Sequence, residues 1–179
     1  MNNKKHFRKG FSMIELIVVL AIIAVLASII GLAWNNYIYR TRLRTANSKA
    51  KIVFNAAQTE AIKYENAERK DPASGYIGDG EFYFYWDGTS GHSSKTDPKP
   101  NGTASWQDKD FGSKVTRFVD VGNVYKIYIN NYKVQSVVFA ESDGNKYVGS
   151  YPATTDEVNA STKQPLAADS KNFTADKIK

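Results

Sequence analysis

Positions 11–34 of the chain read FSMIELIVVLAIIAVLASIIGLAW, and between positions 16 and 34 the polar side chain is Ser28 alone. At about 1.5 Å per residue, some 20 helical residues span roughly 30 Å, the thickness of a bilayer's hydrocarbon core. This pattern predicts a transmembrane helix. Trp34, Tyr37 and Tyr39 follow at the depth where an aromatic belt meets the headgroups.

The helical pattern continues beyond the apolar block. Tyr39, Leu43, Ala46, Ala50, Val53, Ala57, Ala61 and Tyr64 recur at steps of three and four, which defines one buried stripe. Arg40, Arg44, Asn47, Lys51, Asn55 and Gln58 lie off it. No proline interrupts residues 11–70, and the first strong stop is Asp71-Pro72. The expectation is a helix of about 60 residues, roughly 90 Å long, with a membrane half at 11–34 and an amphipathic half at 35–70.

From there the period shortens to two. Residues 81–86 (EFYFYW) are strongly β-prone. Residues 87–113 are rich in Gly, Ser, Asp, Lys and Pro, and read as a long polar loop. A meander is expected at 115–121, 124–130, 134–140 and 146–151. Its junctions are Gly122-Asn123, Asn130-Asn131 and Asp143-Gly144, residues that tolerate the positive φ of tight hairpins. Tyr125, Ile127 and Ile129 share one strand face, with Lys126 and Asn130 on the other, so a half-buried antiparallel sheet is expected against the helix stripe. The predicted fold is α+β: a long N-terminal helix packed on an antiparallel sheet head at 71–151. Residues 152–179 are poor in large apolar side chains and read either as a tail or as an irregular wrap.

Composition narrows the chemistry. There is no cysteine, which removes disulfides, thiol catalysis and cysteine metal centres. His6 and His92 are too few for a histidine-rich metal site. The net charge is +6, but Lys4, Lys5, Arg8 and Lys9 supply four of those charges. A chain without its first ten residues is nearly balanced, which weakens a nucleic-acid reading. No phosphate loop, nucleophile elbow or metalloprotease motif occurs. Asp79 with Glu81, and Asp143 with Asn145, fall short of a calcium ligand set. No cofactor and no catalytic residues are expected. His92 is expected to be solvated in its loop, and Tyr83 and Tyr85 to be exposed and adhesive or to line a subunit contact.

A basic segment before the apolar run invites comparison with a secretory signal. Such signals have a short apolar region of about 7–15 residues and a small-residue cut site after it. Here the run is longer, and the small residue, Gly10, precedes it. Cutting there leaves the membrane helix in the product.

Lys9-Gly10-Phe11-Ser12-Met13-Ile14-Glu15-Leu16 resembles the class III leader of type IV prepilins and pseudopilins. The resemblance covers residues 4–40 at the level of motif; the helix-then-sheet order resembles the family in architecture only. It implies cleavage after Gly10 by a prepilin peptidase, which removes the leader 1–10, and N-methylation of the new Phe11 amine. It further implies pairing of Glu15 with the Phe11 amine of a neighbouring subunit. The partners implied are other pilins in a homo- or hetero-polymer, the peptidase, and an inner-membrane assembly platform with its ATPase. The implied product is a type IV pilus subunit serving adhesion, biofilm formation or twitching motility. A pseudopilin of a secretion or DNA-uptake machine is the alternative within the family, and a non-polymerising membrane tether is the alternative outside it. The sequence departs from many members in lacking a proline in the apolar run, where Gly31 stands, and in lacking a C-terminal disulfide.

The residues support the role of Glu15 independently. An acid at the centre of a bilayer costs about 2.5–3.5 kcal/mol, less near an edge. No Lys, Arg or His lies between Phe11 and Tyr39 to pair with it. The amine freed by a cut before Phe11 is mostly protonated at neutral pH, and in low dielectric the two groups attract strongly. A local reading stands beside this one: Ser12 to Glu15 has the form of a capping box, which would make Glu15 a helix-starting residue. Orientation by charge is close to a tie, because Arg40, Arg42, Arg44, Lys49 and Lys51 follow the span. The resemblance places the N-terminus in the cytoplasm. The arginine cluster either meets headgroups or a neighbour's acids, or is a solvated face.

Overall fold

A computed structural model describes residues 11–97, 100 and 102–162. Its first element, helix α1, spans Met13–Lys70. The chain divides into two compact units, with the boundary between Arg40 and Thr41. In the second unit follow a short 3-10 turn at Pro72–Ser74, strands β1 (Glu81–Trp86) and β2 (Gly91–Ser94), helix α2 (Trp106–Thr116), strands β3 (Val124–Asn130), β4 (Lys133–Ala140) and β5 (Val148–Tyr151), and helix α3 (Thr155–Thr162). The five strands form one antiparallel sheet in the order β2-β1-β3-β4-β5. This is the α+β, pilin-like architecture expected from the sequence.

The predicted stripe is the face that α1 buries in this unit. Leu43, Ala46, Ala50, Val53, Ala57 and Ala61 are all buried, and Tyr64 is half-buried. Tyr39 remains exposed. The stripe packs on Phe82, Phe84, Trp86, Tyr125, Ile127, Ile129, Val137 and Phe139, which project from one face of β1, β3 and β4. Its alanines let the helix backbone lie close to the sheet. The two approach closely at Gly149 of β5, where any Cβ would overlap the Ala46 carbonyl and the Asn47 nitrogen.

Two polar residues off the stripe fasten the helix to the sheet. Gln58 Nε2 donates to the Tyr132 carbonyl (3.1 Å), and its Oε1 accepts the Val134 N–H (2.8 Å). Asn47 Oδ1 accepts the Ser150 N–H (2.9 Å) and lies 2.9 Å from the Thr155 hydroxyl, which donates to the Val148 carbonyl at 2.6 Å. Asn47 and Thr155 thereby satisfy backbone groups of edge strand β5 that would otherwise invite another strand.

Glu68, in the last turn of α1, organises the next loop. Its Oε1 accepts the N–H groups of Tyr76 (2.8 Å) and Ile77 (2.9 Å), and its Oε2 accepts the Gly78 N–H (2.9 Å) and the Tyr132 hydroxyl (2.7 Å). Burial opposes its charge, but the Tyr132 hydroxyl and the three N–H groups outweigh that and hold its pKa below the usual value. The same contact pushes the Tyr132 phenol up to about 12, with burial the larger cause. A depressed folded pKa means that the unfolded chain takes up the proton first as pH falls. The stability from Glu68 is therefore fully present above its ordinary value near 4.3 and is lost as pH drops through the lowered folded value. Glu68→Gln is expected to cost about 1.5–3 kcal/mol at neutral pH, as for charged hydrogen bonds. The gap from the native chain should close below pH 4, as measured by thermal unfolding over pH 3–7.

Several local expectations are corrected. The stretch 87–113 is not a loop throughout: it holds β2 and most of α2. The strand expected at 115–121 is instead the end of α2 and the turn after it. Ser105 caps α2, with its Oγ accepting the Asp108 N–H (3.0 Å) and Asp108 Oδ2 accepting the Ser105 N–H (2.8 Å). Phe111, Gly112 and Val115 then face the core, where Gly112 admits the Trp86 ring. The β3–β4 turn is Asn131-Tyr132, both at positive φ, one residue later than expected. Tyr132 is held there through its hydroxyl bond to Glu68 and its carbonyl bond to Gln58.

The sheet is buried on both faces rather than half-buried. Val158 of α3 joins Val124, Val138, Ala140 and Val148 on the face away from α1, and Lys126 is itself buried. The beginning of the segment read as a tail or wrap is thus a helix packed on the sheet; residues 163–179 lie outside the described residues. Tyr83 is not exposed but stacks on Tyr128, with ring centroids 4.9 Å apart, and Tyr85 is half-buried. His92 is not loop-borne: it lies on β2, half-buried, with Nε2 3.2 Å from the Ser90 hydroxyl and 3.6 Å from Asp87 Oδ2.

Candidate functional site

The N-terminal unit contains the segment Met13–Ile30, long and apolar enough to cross a membrane and with none of its residues buried. Leu16, Ile17, Val18, Leu20, Ile23, Val25, Leu26, Ile29 and Ile30 are each more than half exposed, all round the helix. Soluble surfaces do not carry a contiguous apolar area of this kind; it requires lipid or other apolar helices around it. The one hydroxyl within it is internally satisfied, since Ser28 Oγ donates to the Val25 carbonyl at 2.7 Å. The helix therefore presents an apolar wall with its polar groups gathered at its start.

At that start the sequence builds a cap. The Ser12 N–H donates to Glu15 Oε2 (2.8 Å), and Ser12 Oγ accepts the Ile14 N–H at a longer 3.4 Å. Ser12 is thus the N-cap and Glu15 the third helical residue; Glu15 makes the return bond of a capping box, while the Ser12 hydroxyl accepts from the second N–H of the helix rather than the third. The helix dipole favours an acid there. Phe11 precedes the cap and is 86% exposed. Gly10 and the basic residues Lys4, Lys5, Arg8 and Lys9 lie outside the described residues.

Glu15 is held in place by the chain's own backbone, next to the residue whose amine a cut after Gly10 would free. One Glu15 oxygen carries the cap, and a carboxylate has acceptor sites on both oxygens. The arrangement therefore accommodates capping and an intermolecular pair together. Of the arginines after the span, Arg42 stacks over the Tyr147 ring at 5.3 Å, while Arg40 and Arg44 are exposed. Among the described residues there is no cluster of metal-ligating side chains.

An N-terminal helix long and apolar enough to cross a membrane, with an acid at its start, and a helix-on-sheet head together make a pilin-like architecture. Residues 5–31 match a family model described as the prokaryotic N-terminal methylation motif. The chain is also similar to a fimbrial protein of Dichelobacter nodosus, 35% identical over 107 residues, covering 55% of this chain and 64% of the relative. It thus spans somewhat less than two thirds of that relative's length. No solved structure matches the chain significantly.

Proposed function

We propose that this chain is the structural subunit of a type IV pilus. In this reading the precursor sits in the cytoplasmic membrane with its N-terminus inside. A prepilin peptidase cuts after Gly10 and methylates the Phe11 amine. An assembly platform and its ATPase then move the helix from lipid into a filament of like helices. The observation that carries the reading is the exposed apolar helix Met13–Ile30 with one acid at its start, lying within the match to the methylation motif. Lipid covers such a surface, and so do identical helices, among which the small residues Ala21, Ala24, Ala27 and Ser28 permit close approach. The exposed β head then provides the contacts for adhesion or biofilm formation.

Mass spectrometry of the mature N-terminus tests the processing step. An N-methylated Phe11 is expected, and an intact Met1 terminus refutes it. Gly10→Lys is expected to abolish cleavage, while Gly10→Ala leaves it slowed or unaffected. Filaments sheared from cells should contain the native chain as a principal component; its absence from them would move the reading to a pseudopilin or a membrane tether.

A further inference from the structure

The head carries a second feature, apart from the N-terminal helix. A groove of about 250 Å³ lies between the last turns of α1 and the start of α2, lined by Glu60, Lys63, Tyr64, Ala67, Trp106, Asp110 and Lys114. Trp106 is 71% exposed, at the first position of α2. Its place is fixed by the Ser105–Asp108 cap, and Asp108 in turn accepts the Tyr76 hydroxyl at 2.8 Å. The groove's walls are thus two helices rather than loops, which gives a preorganised surface.

Its polar groups alternate in sign. Asp110 Oδ2 accepts from the Tyr64 hydroxyl (2.9 Å) and from Lys114 Nζ (2.6 Å). Glu60 is buried and accepts from Lys63 Nζ (2.6 Å) through Oε1, while its Oε2 has no hydrogen bond and lies 3.9 Å from Lys114 Nζ. Two carboxylates and two ammonium groups leave the groove with no net charge. That balance disfavours an anionic or a cationic ligand, and it supplies both donors and acceptors.

We propose that this groove binds one residue of a neutral saccharide chain, with the sugar's C–H face on Trp106 and its hydroxyls bonded to Asp110, Lys63 and Lys114. An exposed indole offers a flat apolar surface for such a face, and hydroxyl groups both donate to carboxylates and accept from ammonium groups. The volume is below the roughly 300–1,000 Å³ of sites that enclose a whole drug-sized ligand, which suits a single unit of a longer, solvent-exposed chain. Glu60 acts by holding the two lysines in position. The site lies wholly within the head unit, so the inference stands whether or not the chain polymerises.

The test uses the full chain in a sugar-free detergent, with chitotriose, maltotriose and lactose as neutral probes and sialyllactose as an anionic one. Saturation-transfer NMR is expected to show saturable contact with at least one neutral probe. Trp106→Ala should weaken it at least tenfold without changing the thermal unfolding midpoint, because the side chain is exposed. Asp110→Asn is expected to weaken it several-fold. No saturable transfer to any neutral probe would overturn the proposal, as would undiminished binding by Trp106→Ala or preference for sialyllactose. Loss of filament yield in Trp106→Ala without saccharide binding by the native chain would also overturn it, and would assign the groove to a subunit contact.

Discussion

Replacing Glu15 with alanine is expected to leave cleavage after Gly10 intact and to reduce filament yield by one to two orders of magnitude. In the proposed reading cleavage is spared because the peptidase would act at Gly10, and removing an acid from the apolar segment makes membrane insertion more favourable, not less. Assembly suffers because each incoming subunit would lose one charge-assisted hydrogen bond in a water-poor setting. Such bonds contribute about 1.5–3 kcal/mol, roughly tenfold to more than a hundredfold in an equilibrium constant. The neighbour's amine, left buried and unpaired, adds to the loss.

The capping bond between Ser12 and Glu15 supplies a sharper version of the experiment. Glu15→Gln keeps an acceptor oxygen for the Ser12 N–H but removes the charge that would meet a neighbouring amine. If Glu15 served only to begin the helix, Glu15→Gln would assemble almost as well as the native chain, and Glu15→Ala would lose only the roughly 1 kcal/mol of a cap. If it pairs between subunits, both variants fail to a similar degree. Sheared-filament yield against total processed subunit separates the two cases, and normal yield from Glu15→Gln refutes the pairing.

The buried half of α1 was legible because a helix repeats its face every three to four residues. The run from Leu43 to Ala61 states that face in alanines and branched side chains with no competing pattern. Strands β1, β3 and β4 were legible for the same kind of reason, as aromatic and β-branched residues alternated between turn signals. Helix α2 was missed although its start signal, Ser105 followed by Asp108, was present. Its core face holds a glycine, and Val115-Thr116 reads as β-branched sequence. Gly112 is there because Trp86 packs against its backbone, a contact no local window reveals. Strand β2 has the sequence GHSS, with no β-propensity; it is a strand because β1 pairs with it.

The polar residues show where sequence reading stops. Asn47 and Gln58 were read only as lying off the buried stripe. Each instead bonds backbone groups that lie 103 and 76 residues away, at Ser150 and Val134. The N-terminal motif was legible because its signature is local: a glycine before the apolar run, a phenylalanine next, and an acid four residues on. The groove beside Trp106 was not legible, because its walls come from two helices distant in sequence, α1 ending at Lys70 and α2 starting at Trp106, one of them unrecognised.

Gly149→Val is expected to be the most destabilising single change in the head. On β5, Gly149 faces α1, and an added Cβ would meet the Ala46 carbonyl and the Asn47 nitrogen. These are backbone atoms, so no rotamer change relieves the overlap; the helix must lift from the sheet or β5 must detach. Either movement also breaks the bond from the Ser150 N–H to Asn47 that holds this strand edge. Overpacking against side chains costs about 1–3 kcal/mol, and the rigid neighbour here puts the cost at the upper end, about 3 kcal/mol or more. For a chain of this size that corresponds to a fall of roughly 6–12 °C in the unfolding midpoint. Ala46→Gly in the same chain is not expected to rescue it, since the overlap is with the main chain and not with the Ala46 methyl. Gly102, with ordinary φ and open space around it, provides the control: Gly102→Ala should leave the midpoint unchanged. A Gly149→Val chain that unfolds with the native midpoint would show that helix and sheet do not approach this closely. The alanine stripe of α1 would then no longer be explained by contact of backbone with backbone.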